Sequence, residues 1–345
     1  MIAVANHFEP SIVPGAPPGT YADPKEQERR VDQWCQAYPG ALARFRDADG
    51  YPLRHTYFFP AEQYDKGLVT RLADHCHAGW GEIEIHLHHG TGGPDTRDNT
   101  LATLLAFRDA LVDHGCLSLL DGGSPPRYAF VHGNWALANS AGGLDCGVDG
   151  EMQILAATGC YADLTLPAAP HPAQVSKINS LYECTLPLSQ RAPHRRGRDL
   201  RVGLRPSVLP VIIQGPLGLR WRSNGRGIPQ PRIENGELST TNPPTITRFR
   251  LWRRAAIRVR GRPDWVFIKL HCHGLDPRDD DAMYGHLMQD FLDRLRSDGL
   301  DGDTLHFVTA REMVNIILAA CDGYSGDPGR YRDYRLRLLT PSIRA

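Results

Sequence analysis

The chain has 345 residues, of which 41% are hydrophobic and 23% are charged, as in a globular protein with a sizeable core. Thirty-nine basic residues balance thirty-nine acidic ones, so the chain as a whole carries no charge that would attract nucleic acid or an anionic membrane. The eight cysteines include no CxxC pair, which argues against a zinc knuckle and against a compact disulfide scaffold.

The first ten residues, MIAVANHFEP, run from Met1 directly into a strand-like segment, without the basic and long apolar regions of a signal peptide. No apolar stretch approaches the roughly 20 residues that a membrane helix requires. We therefore expect a cytoplasmic protein that acts on a small molecule or an oligosaccharide and has neither a nucleic-acid nor a membrane partner. The sequence leaves the oligomeric state open.

Short β-rich apolar runs alternate along the chain with segments of helical period. The predicted strands are residues 2–5, 55–59, 82–87, 127–131, 161–166, 208–214, 265–271 and 305–309, and the predicted helices are residues 24–46, 61–77, 100–115, 150–158 and 282–299. Repetition of strand, helix and strand predicts parallel pairing with crossover connections. The fold class is therefore α/β, either a β/α barrel or a doubly wound sheet.

Two long segments depart from this alternation. Residues 167–207 are rich in Pro, Arg and Ser, and residues 215–248 contain many Gly, Pro and Asn residues. We expect both to be insertions that fold over the site, where loops commonly set specificity. The candidate substrate-binding residues that these segments supply are Lys177, Asn179, Arg232 and Glu234.

Histidines collect where the predicted strands end, which is where parallel β/α proteins place their sites. Seven of the fifteen histidines follow only four strands, and they are His7, His86, His88, His89, His132, His271 and His273. Histidine is the commonest metal ligand, and a hydrolytic zinc site typically takes three ligands from His, Asp or Glu. We therefore predict one divalent metal ion, with ligands among His7, Glu9, His86, His88 and His89.

The stretch GEIEIHLHHG, residues 81–90, shows why these ligands share a face. Alternation along a strand puts Glu82, Glu84, His86 and His88 on one side and Ile83, Ile85 and Leu87 on the other. Farther along, His132, Asn134 and Trp135 follow the fourth predicted strand and His273 follows the seventh. A tryptophan ring can stack on a sugar and an amide can bond its hydroxyls, so these four residues are candidate substrate contacts, with Trp135 as a core residue the alternative.

Four motifs resemble those of the polysaccharide deacetylase superfamily. EIEIH resembles the strand that carries the first metal-binding histidine of that family, and FIKLHCH resembles the last motif, whose histidine is taken to protonate the leaving group. ANHFEP and FVHGNW stand where the family has an Asp-Asp pair and an Arg-Pro motif. The resemblance implies one domain over residues 1–345, a distorted parallel β/α barrel of seven or eight strands with the insertions at its mouth, and a metal-dependent deacetylase acting on amides or esters of a carbohydrate or amino-sugar compound.

The chain departs from the family pattern at two places. Asn6 and His7 replace the Asp-Asp pair, which puts His7 at the position of a metal ligand and Asn6 at the position of the catalytic base. An asparagine cannot accept a proton at neutral pH, so Glu9 is the candidate base and His271 the candidate acid. Residue 90 is glycine where the second family histidine is expected, so His88 or His89 replaces that histidine.

Zinc suits such an imidazole-rich ligand set best, and manganese, iron, cobalt and nickel are also compatible with it. Two other functions remain open from the sequence. A glycoside hydrolase on a related barrel would need a second carboxylate beside Glu9, for which Glu234 and Asp163 are candidates. A catalytically degenerate barrel would only bind carbohydrate.

Overall fold

The computed structural model describes residues 1–16, 20–90, 94–143, 147–223 and 227–340. Its strands are β1 (Ile2–His7), β2 (His55–Pro60), β3 (Gly81–Leu87), β4 (Ser118–Leu120), β5 (Gly123–His132), β6 (Cys160–Asp163), β7 (Leu181–Cys184), β8 (Gly197–Asp199), β9 (Val211–Ile213), β10 (Gly218–Ser223), β11 (Pro229–Glu234), β12 (Glu237–Leu238), β13 (Ile268–Cys272) and β14 (Leu336–Leu338). Its α-helices are α1 (Pro24–Leu42), α2 (Lys66–His75), α3 (Arg97–Asp113), α4 (Glu151–Thr158), α5 (Ile246–Arg254), α6 (Asp280–Met283), α7 (His286–Arg294) and α8 (Ala310–Cys321).

Polar caps fix where the main helices begin. The Asp23 carboxylate accepts a hydrogen bond from the Lys25 amide at 2.9 Å, and the Thr96 hydroxyl accepts one from the Asn99 amide at 3.2 Å. At the start of α8, Thr309 and Glu312 each accept a hydrogen bond from the other's backbone amide, which is a complete capping box. These bonds satisfy amide groups that have no partner inside the helix.

The main sheet runs in the order β12-β13-β1-β2-β3-β5-β6-β9-β7-β8. The first eight strands of this order pair in parallel with one another. Strand β7 is antiparallel to β9, and β8 is antiparallel to β7. The prediction of an α/β fold on a mostly parallel sheet is therefore confirmed. No ladder in the described part of the chain joins the two ends of the order, so the strands form a curled half-barrel of ten strands and not clearly a closed barrel of seven or eight.

Contacts across the half-barrel show how strongly the sheet curls. The Lys269 ammonium group on β13 donates a hydrogen bond to the carbonyl of Leu164, just past β6, at 2.8 Å. A Cβ atom added to Gly215, just past β9, would lie 2.4 Å from the Lys269 carbonyl oxygen. The curl thus brings the ends of β6 and β9 against β13, so side chains from distant strands meet above the same interior.

The two faces of the sheet carry different cores. Ile2, Val4 and other outward side chains pack with helices α1 to α3 into one large apolar cluster. Ala3, Ala5 and other inward side chains pack with α8, whose twelve residues are all buried. Because side chains alternate, His7 and Glu9 follow Ala3 and Ala5 on the inward face. The interior therefore has a lower part that is mostly apolar but contains the buried ion pair between Glu82 and Arg311, and a rim that carries the ligands.

Seven of the eight predicted strands are present, and residues 305–309 contribute only a single bridge between Ile2 and Phe307. The predicted helix over residues 282–299 is divided between α6 and α7, and α5 and α8 were not predicted. The two proposed insertions contain β7 and β8 and then β10 to β12, so they supply strands as well as loops. No described helix is long and apolar enough to cross a bilayer.

Candidate metal centre

Five ligand-type side chains meet at the carboxyl ends of β1, β3 and β13, and we call them the mouth cluster: His7, Glu9, His86, His88 and His273. The order β13-β1-β2-β3 places these three strands within one short arc of the sheet. Alternation keeps His7 and Glu9 on one face and His86 and His88 on the same face of β3. Local strand geometry and the curl together make the cluster.

One oxygen of Glu9 is the centre of the mouth cluster. Its Oε1 atom lies 3.2 Å from Nε2 of His86, 3.6 Å from Nε2 of His88 and 3.9 Å from Nε2 of His273. The ring of His7 is 4.9 Å, centroid to centroid, from both the His86 and the His273 rings. The spacing of these nitrogen and oxygen atoms suits several ligands of a single ion.

The other ring nitrogens define which atoms carry protons. Nδ1 of His86 lies 2.7 Å from the Val131 carbonyl oxygen, and Nδ1 of His88 lies 2.7 Å from Oε1 of Glu62. When Glu62 is ionised, both partners can only accept hydrogen bonds, so Nδ1 of each ring carries a proton. In its neutral form each ring then turns an Nε2 lone pair toward Glu9. Acceptors that face one another repel unless a cation or a proton lies between them. Val131 and Glu62 are also the kind of outer partner that orients metal-binding histidines.

The electrostatics favour the protonation states that bind metals. Burial lowers the pKa of His86, and burial together with the neighbouring histidines holds the pKa of His7 well below its ordinary value. Burial opposes ionisation of Glu9, but a hydrogen bond that protonated His86 donates and the charges of nearby protonated histidines bring its pKa to about 2, and a bound cation would favour the carboxylate in the same way. Neutral imidazoles and an ionised carboxylate are the forms that coordinate divalent ions.

His88 differs from the other rings of the cluster. Burial lowers its pKa, but the hydrogen bond to Glu62 and the charge of Glu9 outweigh burial and raise the pKa above the ordinary value. The same two carboxylates hold the ring in place. Glu62, on the turn after β2, was not predicted as a site residue, because nothing in its local sequence sets it apart from an exposed glutamate.

His271 lies beside the mouth cluster, with its ring centroid 6.2 Å from that of His7. It is buried, and its Nδ1 atom has no hydrogen-bond partner among the described residues. Burial, then the charges of Lys269 and His273, hold its pKa well below the ordinary value, which is the direction expected for a desolvated imidazole near a cation. His271 therefore rests as a neutral ring close to the ligands.

Asn6 lies on the opposite face of β1 from His7. Its side-chain amide is 3.1 Å from Nδ1 of His55, and its carbonyl oxygen accepts a hydrogen bond from the Gly274 amide at 2.8 Å. A Cβ atom at residue 274 would lie 2.3 Å from the Asn6 side chain, so the close approach requires glycine. Asn6 thus holds the turn next to His273 and does not join the mouth cluster.

His89 and His132 belong to a second group, which we call the buried cluster: His89, His132 and Glu151. Nε2 of His89 lies 3.0 Å from Nε2 of His132 and 2.9 Å from Oε1 of Glu151. The structure therefore separates His89 from His86 and His88, and it places His132 in the interior with no exposed surface. Glu151 was not predicted, because it opens α4 and follows no strand.

The remaining candidate substrate residues lie in different surroundings. Trp135 is half-buried, packs against His171 at 5.5 Å between ring centroids and contacts a small apolar cluster formed by residues 166–175. Asn134 is half-buried beside it, with a backbone φ of 55°. Lys177 forms an ion pair with Asp199.

All four candidates from the insertions lie in the described part of the chain, and besides Lys177 two of them, Asn179 and Glu234, make structural contacts. Asn179 accepts a hydrogen bond from the Leu217 amide at 2.7 Å and donates one to the Leu217 carbonyl at 2.9 Å, which joins the two insertions. Glu234 is buried and accepts hydrogen bonds from Arg248 and from the Trp252 indole. Arg232 is exposed on β11.

A third group with metal-ligand side chains, Asp47, Asp49 and His306, already has a cation. The Arg332 guanidinium group donates to Asp47 at 2.8 Å and to Asp49 at 2.7 Å. That buried arginine balances the two carboxylates. The mouth cluster has no such arginine among the contacts described above.

Comparison of the sequence with models of known protein families finds no match, and comparison with curated proteins finds none either. The chemistry of the mouth cluster therefore has to be inferred from its own side chains.

Proposed function

We propose that this chain is a metal-dependent hydrolase that removes acyl groups, a deacetylase-like enzyme acting on the amide or ester of a carbohydrate or amino-sugar compound. The observation that supports the proposal is the approach of three imidazole Nε2 atoms, from His86, His88 and His273, to one oxygen of Glu9 at the rim of a parallel sheet. The proposal includes membership of the polysaccharide deacetylase superfamily as a divergent member, and the distorted barrel that the family implies.

The ion at the mouth cluster is zinc in this proposal, since zinc suits imidazole nitrogen with one carboxylate oxygen. Manganese, iron, cobalt and nickel also accept such mixed ligand sets. The proposed protein ligands are His86 and His88 with His7 or His273 as the third, and all of them surround Glu9, which lies at the open side. The side chains of His88 and His273 keep exposed fractions of 23% and 34%, so water and a substrate can reach that side.

A divalent ion here would polarise the acyl carbonyl and make a water molecule more acidic. Glu9, ionised at neutral pH, takes a proton from that water as its oxygen attacks the acyl carbon. His271 is neutral at rest, so it would first take from Glu9 the proton that Glu9 removed from the water, and would then deliver that proton to the departing amine or alcohol. One O–H bond breaks, the carbon–oxygen bond forms, and the acyl–nitrogen or acyl–oxygen bond breaks with protonation of the leaving group.

Substrate selection in this proposal falls to the segments around the rim. Trp135 and Asn134 are half-buried beside the ends of β5 and β6 and offer a ring face and an amide. Glycoside cleavage is less well supported, because both oxygens of Glu234 are hydrogen-bonded to Arg248 and Asp163 is fully buried. No specific observation favours a receptor without catalysis.

The test is a combined measurement of metal content and deacylation on protein purified without a histidine tag. Elemental analysis of wild type and His86→Ala is paired with assays that detect free acetate from N-acetylated amino-sugar oligomers and from an aryl acetate. We expect His86→Ala to hold one equivalent of metal less than wild type and to be inactive. The matched control is His114→Ala, which removes a histidine that bonds Tyr64 away from the rim. Equal metal content in wild type and His86→Ala would contradict the proposal.

A further inference from the structure

The buried cluster is separate from the mouth cluster in both its elements and its exposure. His89 follows β3, His132 ends β5 and Glu151 opens α4. His132 and Glu151 have no exposed surface and His89 is 6% exposed. Three segments that are far apart in sequence thus bring ligand-type side chains to one closed point.

The spacing of the three ligand atoms suits a single small ion. Nε2 of His89 lies 3.0 Å from Nε2 of His132 and 2.9 Å from Oε1 of Glu151, and the third edge, from His132 to Glu151, is 3.4 Å. Ligand atoms about 2.0 to 2.1 Å from a tetrahedral zinc ion are about 3.3 Å apart. The three atoms therefore already stand close to the separations that such an ion imposes.

Hydrogen bonds on the far side of each ring orient the ligands. Nδ1 of His89 lies 2.9 Å from Oδ2 of Asp95, and Nδ1 of His132 contacts the Gly133 carbonyl oxygen. Both partners are acceptors, so Nδ1 of each ring carries a proton. In their neutral form the rings direct their Nε2 lone pairs toward each other and toward Glu151. The second oxygen of Glu151 accepts a hydrogen bond from the backbone amide of Ala138. Such outer contacts are the usual support of a metal site.

A second, independent observation comes from His194. This histidine is fully buried, and neither of its ring nitrogens has a hydrogen-bond partner among the described residues. The charges of Glu151 and His132 both act on it, so it lies near the buried cluster. A buried imidazole without a partner costs free energy, which coordination to an ion would recover. His194 is not among the side chains whose ligand atoms already lie within reach of one ion, so it would have to move to become a fourth ligand.

We propose that the buried cluster is a second metal site, in which Nε2 of His89, Nε2 of His132 and Oε1 of Glu151 hold a zinc ion with a structural role. Closed, solvent-free sites of this kind stabilise a fold, whereas catalytic sites keep an open position. The ion would tie the end of β3 to β5 and α4. It would thereby hold the segment after β5, which carries Asn134 and Trp135 at the rim.

The experiment counts zinc equivalents in the full chain, purified without a tag, stripped with a chelator and titrated with Zn²⁺ alone in a calorimeter. We expect two equivalents for wild type and for the control His114→Ala, and one equivalent each for Glu151→Gln and His86→Ala. Glu151→Gln keeps the shape of the side chain and an oxygen for the Ala138 amide. Two results would overturn the second site. One is binding of two equivalents of zinc by Glu151→Gln, and the other is a single equivalent in wild type that is lost only in His86→Ala.

A further measurement covers the case in which Glu151→Gln does not fold. His86→Ala retains the whole buried cluster, so it should bind one equivalent of Zn²⁺ and its Tm should rise by several degrees on binding. No binding in this variant would overturn the proposal. If instead the mouth cluster binds no metal, wild type shows one equivalent that His86→Ala retains and Glu151→Gln loses, so failure of the proposed function gives a different pattern.

Discussion

His88 and His89 are neighbours in the chain, yet they belong to two different clusters. His88 continues the face of β3 that carries His86 and meets Glu9 and Glu62 at the rim. His89 turns to the other side, where it meets His132 and Glu151. The rim side chain is 23% exposed and the inner one 5%, so only the first can meet a substrate. The same ligand chemistry therefore suits catalysis at one position and structural support one residue later.

The sharpest expected contrast comes from replacing each of these two histidines. His88→Ala should lower kcat/KM by about 10³-fold, because several kcal/mol of transition-state stabilisation depend on the ion at the rim. Its Tm should stay within a few degrees of wild type. His89→Ala should instead lower the Tm by several degrees and leave the metal at the rim in place. Steady-state kinetics and thermal unfolding on both variants check this contrast, and an identical loss in both would erase the distinction between the clusters.

A second prediction tests whether His271 acts as the general acid at the rim. His271→Ala should lower turnover by about 10²- to 10⁴-fold, the usual contribution of a positioned acid or base, with metal content unchanged. Metal occupancy and turnover are measured on one preparation. Inactive protein without the rim metal would make His271 a ligand, and a fully active variant would remove β13 from the mechanism.

The carboxylates behind the two neighbouring histidines allow a matched comparison. Glu62→Gln and Asp95→Asn each remove the charge of an outer partner while leaving an oxygen that can accept from Nδ1. Each should weaken zinc binding by about 10- to 100-fold, Glu62→Gln at the rim and Asp95→Asn in the interior. The zinc affinity is measured by competition with a chelator of known affinity. Glu62→Gln is combined with His89→Ala, which leaves the rim site, and Asp95→Asn is combined with His86→Ala, which leaves the buried site. Unchanged affinity in both would show that these bonds do not support metal ligands.

The smallest effect concerns Asp163, which lies outside both clusters. Burial raises its pKa from 3.8 to about 7, against hydrogen bonds from Thr165 that lower it. Between these values the folded state binds more protons than the unfolded state, so this group makes stability fall as the pH rises from about 4 to 7. The slope is at most about 1.4 kcal/mol per pH unit.

Asp163→Asn should remove that slope, because asparagine does not titrate and can keep both Thr165 contacts. Urea unfolding at pH 5 and pH 8 measures the difference between wild type and variant. We expect the variant to gain stability relative to wild type at the higher pH. An equal pH response in the two proteins would mean that Asp163 ionises normally in the folded state.

The local pattern of apolar residues predicted much of the fold. The run at residues 82–87 coincides closely with β3 and the run at residues 265–271 overlaps β13 at residues 268–271, because alternation and β-branched side chains are properties of the segment itself. Helix α8 was not predicted from the sequence, although Thr309 and Glu312 form a capping box at its start. All twelve of its residues are buried, and they include the polar residues Arg311, Glu312 and Asn315, so its polar side does not mark a surface exposed to solvent.

The sequence by itself determined that His7, Glu9, His86 and His88 stand at strand ends and that each pair shares a face, because a period of two is fixed by the backbone of one strand. Only the tertiary structure decided which ends meet. Glu151 is 62 residues from His89, and its position depends on the curl of the sheet and on where α4 packs, which no local pattern encodes. The same holds for Asn6, whose partners His55 and Gly274 come from β2 and from the turn after β13. Strand-end position made these residues candidates, and long-range packing assigned them to the rim, the interior or the outer layer.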